Sequence, residues 1–194
     1  MTNTKNIFII RHFKTSYDSD KNERLIYDNA LKDSNLFVNF IYKYLKENSY
    51  IKNITFISSP QDRTIITSLI ICNHLKTVLK NKDYNINDPI IDNILDRDPN
   101  RKIKLDILKK YFKKEINEKF NEDTLYILIT HSSKIYNLYK SIIEIYSKEI
   151  DFSKKHIYTN SLTYIQIIDK NNDYKKSDNK KKKFSIISKF NLKI

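Results

Sequence analysis

The sequence predicts an α/β fold with a largely parallel central sheet. Short continuous apolar runs, such as residues 7–10 and 125–129, have the look of strands buried on both faces. Between them lie longer stretches whose apolar residues recur at helical spacing. The two kinds of segment alternate along the chain, the pattern of βαβ units. At 194 residues a single domain spanning 1–194 is expected, large enough to bury a core.

Taken in order, residues 7–10 form the first strand. Phe37, Phe40, Ile41, Tyr44 and Leu45 mark the first helix, with Asp33 or Ser34 as its N-cap. A second strand at 54–57 leads to a helix over 62–79, and residues 89–91 read as a short strand. Ile103, Ile107, Leu108, Tyr111, Phe112 and Ile116 outline a third helix. Residues 125–129 are another buried strand, followed by the stripe Ile135, Leu138, Tyr139, Ile142, Ile143 and Tyr146. Strands at 162–168 and 184–187 complete the pattern. The lysine-rich segment 171–183 between them reads as a solvated loop, with an anion-contacting arm as the alternative.

Composition narrows the setting. The chain has no glycine and no tryptophan, and Ala30 is its only alanine. Isoleucine, asparagine, lysine and tyrosine fill the space, as in a gene drifting toward A and T. Turns that need positive φ therefore fall to Asn or Asp. A net charge of +13 suits an anionic partner, but the same drift supplies lysine without any partner. Cys72 is the only cysteine, so no intramolecular disulfide can form and a reducing, cytoplasmic location is expected. No secretory signal pattern and no bilayer-length apolar run is present.

Ligands of open parallel sheets bind beyond the carboxyl ends of the strands. Arg11 and His12 follow the first strand; Ser58, Ser59, Pro60 and, one helical turn on, Arg63 follow the second. Thr130 and His131 follow the strand at 125–129. Two arginines and two histidines thus gather at one edge, a set suited to a doubly charged phosphoryl group. Guanidinium forks grip its oxygens, while the imidazoles offer a nucleophile and a further donor. Taken singly, Arg11 and His12 could be a strand-end polar couple and Arg63 a helix salt bridge; their convergence is what argues for a site. His74 has no metal-spaced partner and reads as structural, Cys72 as core packing and His156 as surface. No metal site is indicated.

These residues also resemble a family. Residues 10–15, Ile-Arg-His-Phe-Lys-Thr, are similar to the Arg-His-Gly signature of the histidine phosphatase (phosphoglycerate mutase-like) superfamily. Residues 58–68, from Ser58-Ser59-Pro60 through Arg63 to Thr67-Ser68, resemble its Ser-Ser-Pro-x-x-Arg-x-x-x-Thr-Ala signature. Thr130-His131-Ser132 is similar to the third signature, residues 27–35 echo the segment before the first helix, and Asn160-Ser161-Leu162-Thr163 echoes the opening of a late strand. The resemblance spans nearly the whole chain. It implies a three-layer α/β/α sandwich and a metal-independent phosphatase without a cofactor, working through a phosphohistidine on His12. Arg11, Arg63, His131 and Thr15 would bind the phosphate, and Asp96 would be the general acid, with Asp92 and Asp98 as alternatives; a solvated turn is the bland reading of 96–98. The implied partner is a small phosphorylated substrate or a phosphoprotein. Neither nucleic acid nor a membrane is expected, and the compact chain favours hydrolysis over a mutase reaction.

The departures are specific. Phe13 and Ser132 stand where the family has glycine after each histidine, and Asn35 stands at a turn glycine. Asp18 replaces an Asn near the phosphate. A ring plugging the site at Phe13 would leave a catalytically impaired module that binds a phosphorylated ligand or protein. A ring packed sideways would leave an enzyme.

Overall fold

Alternation along the first strand settles which side of the sheet each helix covers. The computed structural model describes residues 3–17, 23–25, 27–96, 105–146, 161–169 and 184–193. In β1 (Asn3–Arg11), Phe8 and Ile10 belong to one core, whereas Ile7 and Ile9 belong to another on the opposite face. The first core is completed by α1 (Tyr27–Glu47) and α2 (Asp62–Val78), through Phe37, Ile41, Leu45, Ile71 and Leu75. The second is completed by α3 (Leu105–Glu118) and α4 (Ser132–Tyr146), through Leu108, Phe112, Ile116, Leu138 and Ile142. Two helices on each face make the three-layer α/β/α sandwich, with β7 (Thr124–Thr130) buried along its whole length.

The sheet runs β5 (Asn85–Ile86), β4 (Asn53–Ser58), β7, β1, β8 (Ser161–Asp169), β9 (Phe184–Lys193), and β6 (Ile90–Ile91) also pairs with β4. Pairings among β4, β5, β6, β7 and β1 are parallel, as expected. The β1–β8 and β8–β9 pairings are antiparallel, so the sheet is mixed. A separate two-stranded ribbon joins β2 (Thr15–Tyr17) to β3 (Glu23–Leu25). Among the described residues no helix is long and apolar enough to cross a membrane.

The last strand runs on to Lys193, beyond the expected 184–187, and the start of the first helix also differs from the sequence expectation. The first helix begins at Tyr27, so Asp33 and Ser34 lie inside it rather than at its cap. Ser34 is buried, and its hydroxyl meets His74 Nδ1 on α2 at 3.0 Å. A polar residue that looks like a cap is instead a crosslink between two helices, and His74 has the structural role foreseen for it. Asn35 occupies an exposed helical position, so no turn glycine is needed there. Cys72 is core packing, its thiol pKa raised chiefly by burial. Asp18, Asp98, His156 and the segment 171–183 lie outside the described residues.

Candidate active site

The carboxyl ends of β1, β4 and β7 are held together beyond the regular ladder. Arg11 pairs with Thr130 in the β1–β7 register, and the His12 N–H donates to the Thr130 carbonyl at 2.9 Å. On the other side of β7, the Ser59 N–H donates to the Ile129 carbonyl at 3.0 Å. These bonds bring the residues after β1 and β4 to either side of His131. The rings of His12 and His131 come within 5.2 Å, centroid to centroid, and both residues are buried.

Each histidine has its tautomer fixed by a neighbour. His12 Nδ1 lies 2.7 Å from the Phe13 carbonyl oxygen, which can only accept. Nδ1 therefore carries the proton, and in the neutral ring the lone pair resides on Nε2. At His131 the arrangement is reversed. Arg63 Nε donates to Nδ1 at 3.3 Å, which leaves the proton of the neutral ring on Nε2, 3.1 Å from Ser59 Oγ. One imidazole is poised to donate an electron pair, the other a hydrogen bond.

The remaining signature residues hold this geometry. Thr67 Oγ1 accepts the Phe13 N–H at 3.0 Å and donates to the Arg63 carbonyl at 2.7 Å, tying the loop after β1 to α2. Thr64 Oγ1 donates to the Ser59 carbonyl at 2.8 Å. Phe13 is wholly buried, its ring in the core shared with α1 and 6.0 Å from that of Phe37. The side chain that replaces glycine is thus directed into the hydrophobic layer.

Positive charge concentrates here. The Arg11 guanidinium has its pKa lowered, first by burial and then by the Arg63 charge, which places the two cations within electrostatic range of each other. Such a like-charged pair is relieved by an anion between them. Thr15 opens β2, half-buried and three residues past His12.

Asp96 also joins this edge. It follows a 3₁₀ turn, Asn93–Leu95, whose Leu95 carbonyl accepts the Thr130 hydroxyl at 2.6 Å. Gln61 Nε2 donates to Asp96 Oδ1 at 2.8 Å, while Gln61 Oε1 accepts from Arg63 Nη2. Gln61 therefore links the putting-together of cation and carboxylate, a role its position in the signature does not reveal. Asp92 is committed elsewhere: it accepts the Ile94 N–H at 2.9 Å and the Tyr111 hydroxyl. Sequence reasoning also missed Lys134. It is buried, which lowers its pKa, and the charge of Asp96 acts against that lowering. Helical spacing to Leu138 and Ile142 puts Lys134 on the buried stripe of α4, the one signal that could have found it. Among the described residues no group of three or more His, Cys, Asp or Glu side chains could hold a metal ion.

The fold is that of the histidine phosphatases and phosphoglycerate mutases. A mycobacterial glucosyl-3-phosphoglycerate phosphatase superposes with a TM-score of 0.55 at 10% identity, over 84% of this chain and 90% of that one. Phosphoglycerate mutase from Plasmodium falciparum gives 0.51 at 16% identity, over 95% and 99%. A mycobacterial hydrolase gives 0.58 at 11% identity, over 100% of this chain and 92% of that one. No protein-family profile matches the sequence, and no curated protein does.

Proposed function

We propose that the protein is a metal-independent phosphatase that hydrolyses phosphate monoesters through a phosphohistidine on His12. The observation that carries this reading is the pairing of a buried His12, its Nδ1–H held by the Phe13 carbonyl, with two arginines and a second histidine at one sheet edge. The resemblance of the signatures to those of histidine phosphatases and the shared fold support it. The substrates named for structural neighbours are also phosphorylated small molecules.

In the first half-reaction the Nε2 lone pair attacks phosphorus in line with the ester oxygen. The P–O bond breaks, its electron pair stays on the departing oxygen, and that oxygen takes a proton from the Asp96 carboxyl. Water then attacks the phosphohistidine and passes a proton to Asp96, while the P–N electron pair returns to Nε2. Arg11 and Arg63 stabilise the charge on the equatorial oxygens, joined by the His131 Nε2–H when the phosphoryl oxygen takes the place of Ser59 Oγ as its acceptor, with Thr15 as a further donor.

Release of inorganic phosphate from a panel of sugar phosphates, nucleotides and an aryl phosphate, in the presence of a chelator, tests the reading. Turnover by the wild type that disappears in His12→Ala is expected. Equal hydrolysis by the two proteins would overturn it.

A further inference from the structure

Gln61 stands at the N-cap of α2, where a short polar side chain ordinarily turns back to hold the first helical N–H groups. Gln61 makes no such side-chain bond. Its backbone carbonyl starts the helix, accepting the Thr64 and Ile65 N–H groups at 2.9 and 3.0 Å. The side chain is thereby released from capping, and both ends of its amide are used elsewhere. Oε1 accepts from Arg63 Nη2, and Nε2 donates to Asp96 Oδ1 at 2.8 Å.

Chemistry decides which end of the amide meets which neighbour. A guanidinium carries donors only, so it can meet the amide only through the oxygen. The amide nitrogen is thus turned to Asp96, where it can only donate. Both neighbours are anchored independently. Arg63 Nε donates to His131 Nδ1 at 3.3 Å, and the turn before Asp96 is fastened by the Thr130 hydroxyl on the Leu95 carbonyl at 2.6 Å. The run of donors therefore passes in one direction, from Arg63 through Gln61, and ends on Oδ1 of Asp96.

We propose that Gln61 is a positioning residue for proton transfer: it occupies Oδ1 of Asp96 and so assigns the transferable proton to Oδ2. This rests on the phosphatase reading above, with Asp96 as the acid. The amide is neutral, so it orients the carboxyl without setting a charge against it. In the protonated carboxyl, Oδ1 is the carbonyl oxygen that the amide meets. Oδ2 gives its proton to the ester oxygen, which receives it with the electron pair of the broken P–O bond. The carboxylate left behind keeps its bond from Nε2, and Oδ2 takes the proton of the water that opens the phosphohistidine.

Such a role predicts a dependence on the leaving group. An alkoxide must be protonated as it departs, whereas dinitrophenolate leaves without help. Gln61→Met keeps the length of the side chain and removes both hydrogen bonds. It should lower kcat for glycerol 2-phosphate by about 10²-fold, the scale of a misplaced reacting group, and kcat for dinitrophenyl phosphate far less. In an Asp96→Ala background the same substitution should cost the alkyl ester no more than the dinitrophenyl ester, because the group it positions is gone. Since the side chain caps nothing, Gln61→Met should melt close to the wild type. Equal losses on the two esters, no loss on either, or an excess alkyl loss that persists undiminished in Asp96→Ala would each overturn the role of Gln61. So would a Gln61→Met protein that does not fold, a wild type that cleaves only the dinitrophenyl ester, or an Asp96→Ala protein with undiminished alkyl turnover. A wild type that hydrolyses neither ester would instead refute the phosphatase reading itself, and the role with it.

Discussion

Phe13 separates an enzyme from a plugged binding module, and its replacement by glycine, the residue of the resembling signature, has opposite consequences in the two cases. The ring is fully buried in the core beneath α1, within 6.0 Å of the Phe37 ring. Truncating a buried Phe to Ala costs about 3–5 kcal/mol, and the extra backbone freedom of glycine adds roughly 0.5–1 kcal/mol. For a chain of this size each kcal/mol moves the melting temperature by about 2–4 °C. Phe13→Gly should therefore melt roughly 7–24 °C below the wild type. Urea denaturation at low temperature gives the free-energy loss, and hydrolysis of an aryl phosphate under folding conditions gives the turnover. Phe13→Leu, with a smaller loss of volume, serves if the glycine variant does not fold. Rates per folded molecule should stay near wild type. A tenfold rise in turnover with little loss of stability would show that the ring obstructs His12, contrary to its place in the core.

Two further outcomes follow from the same geometry. Ser68, which stands at the alanine of the resembling signature, is buried on α2 with no hydrogen-bond partner for its hydroxyl among the described residues. Ser68→Ala should add about 1 kcal/mol or more of stability in urea titration, by removing the unsatisfied group and improving helix propensity; a loss would show that the hydroxyl is satisfied in solution. Arg63→Ala should lower kcat/KM for any phosphate ester by about 10²-fold or more, since Arg63 supplies charge and also holds the His131 tautomer through Nδ1; an unchanged value would remove it from the site.

Much of the fold was legible because its strands are buried on both faces and its helices on one. Continuous apolar runs and helical stripes survive even a strong compositional drift, since isoleucine replaces other apolar residues without altering the pattern. The start of α1 was not legible. Asp33 and Ser34 favour helix caps in isolation, but burial of Ser34 against His74 overrides that preference. The β2–β3 ribbon was missed because three-residue strands carry no periodicity. At the site, Arg11, His12, Arg63 and His131 were visible as residues just past strand ends. Gln61 was not, because an amide gains meaning only when both its ends find charged partners. Lys134 was hidden among the many lysines of a basic chain, and only its place on the buried side of α4 sets it apart.

The central claim is a phosphoryl group carried on one nitrogen of one histidine. Its most direct test is to mix the protein with a rapidly cleaved aryl phosphate, quench in alkali and map the phosphorylated peptide by mass spectrometry, with phosphorus NMR to distinguish the two ring isomers. Because the Phe13 carbonyl holds the proton on Nδ1 of His12, the account predicts an acid-labile, alkali-stable adduct on His12 at Nε2, absent from His12→Ala. Turnover with the phosphoryl group on His131, on Nδ1 of His12, or on no histidine at all would contradict it.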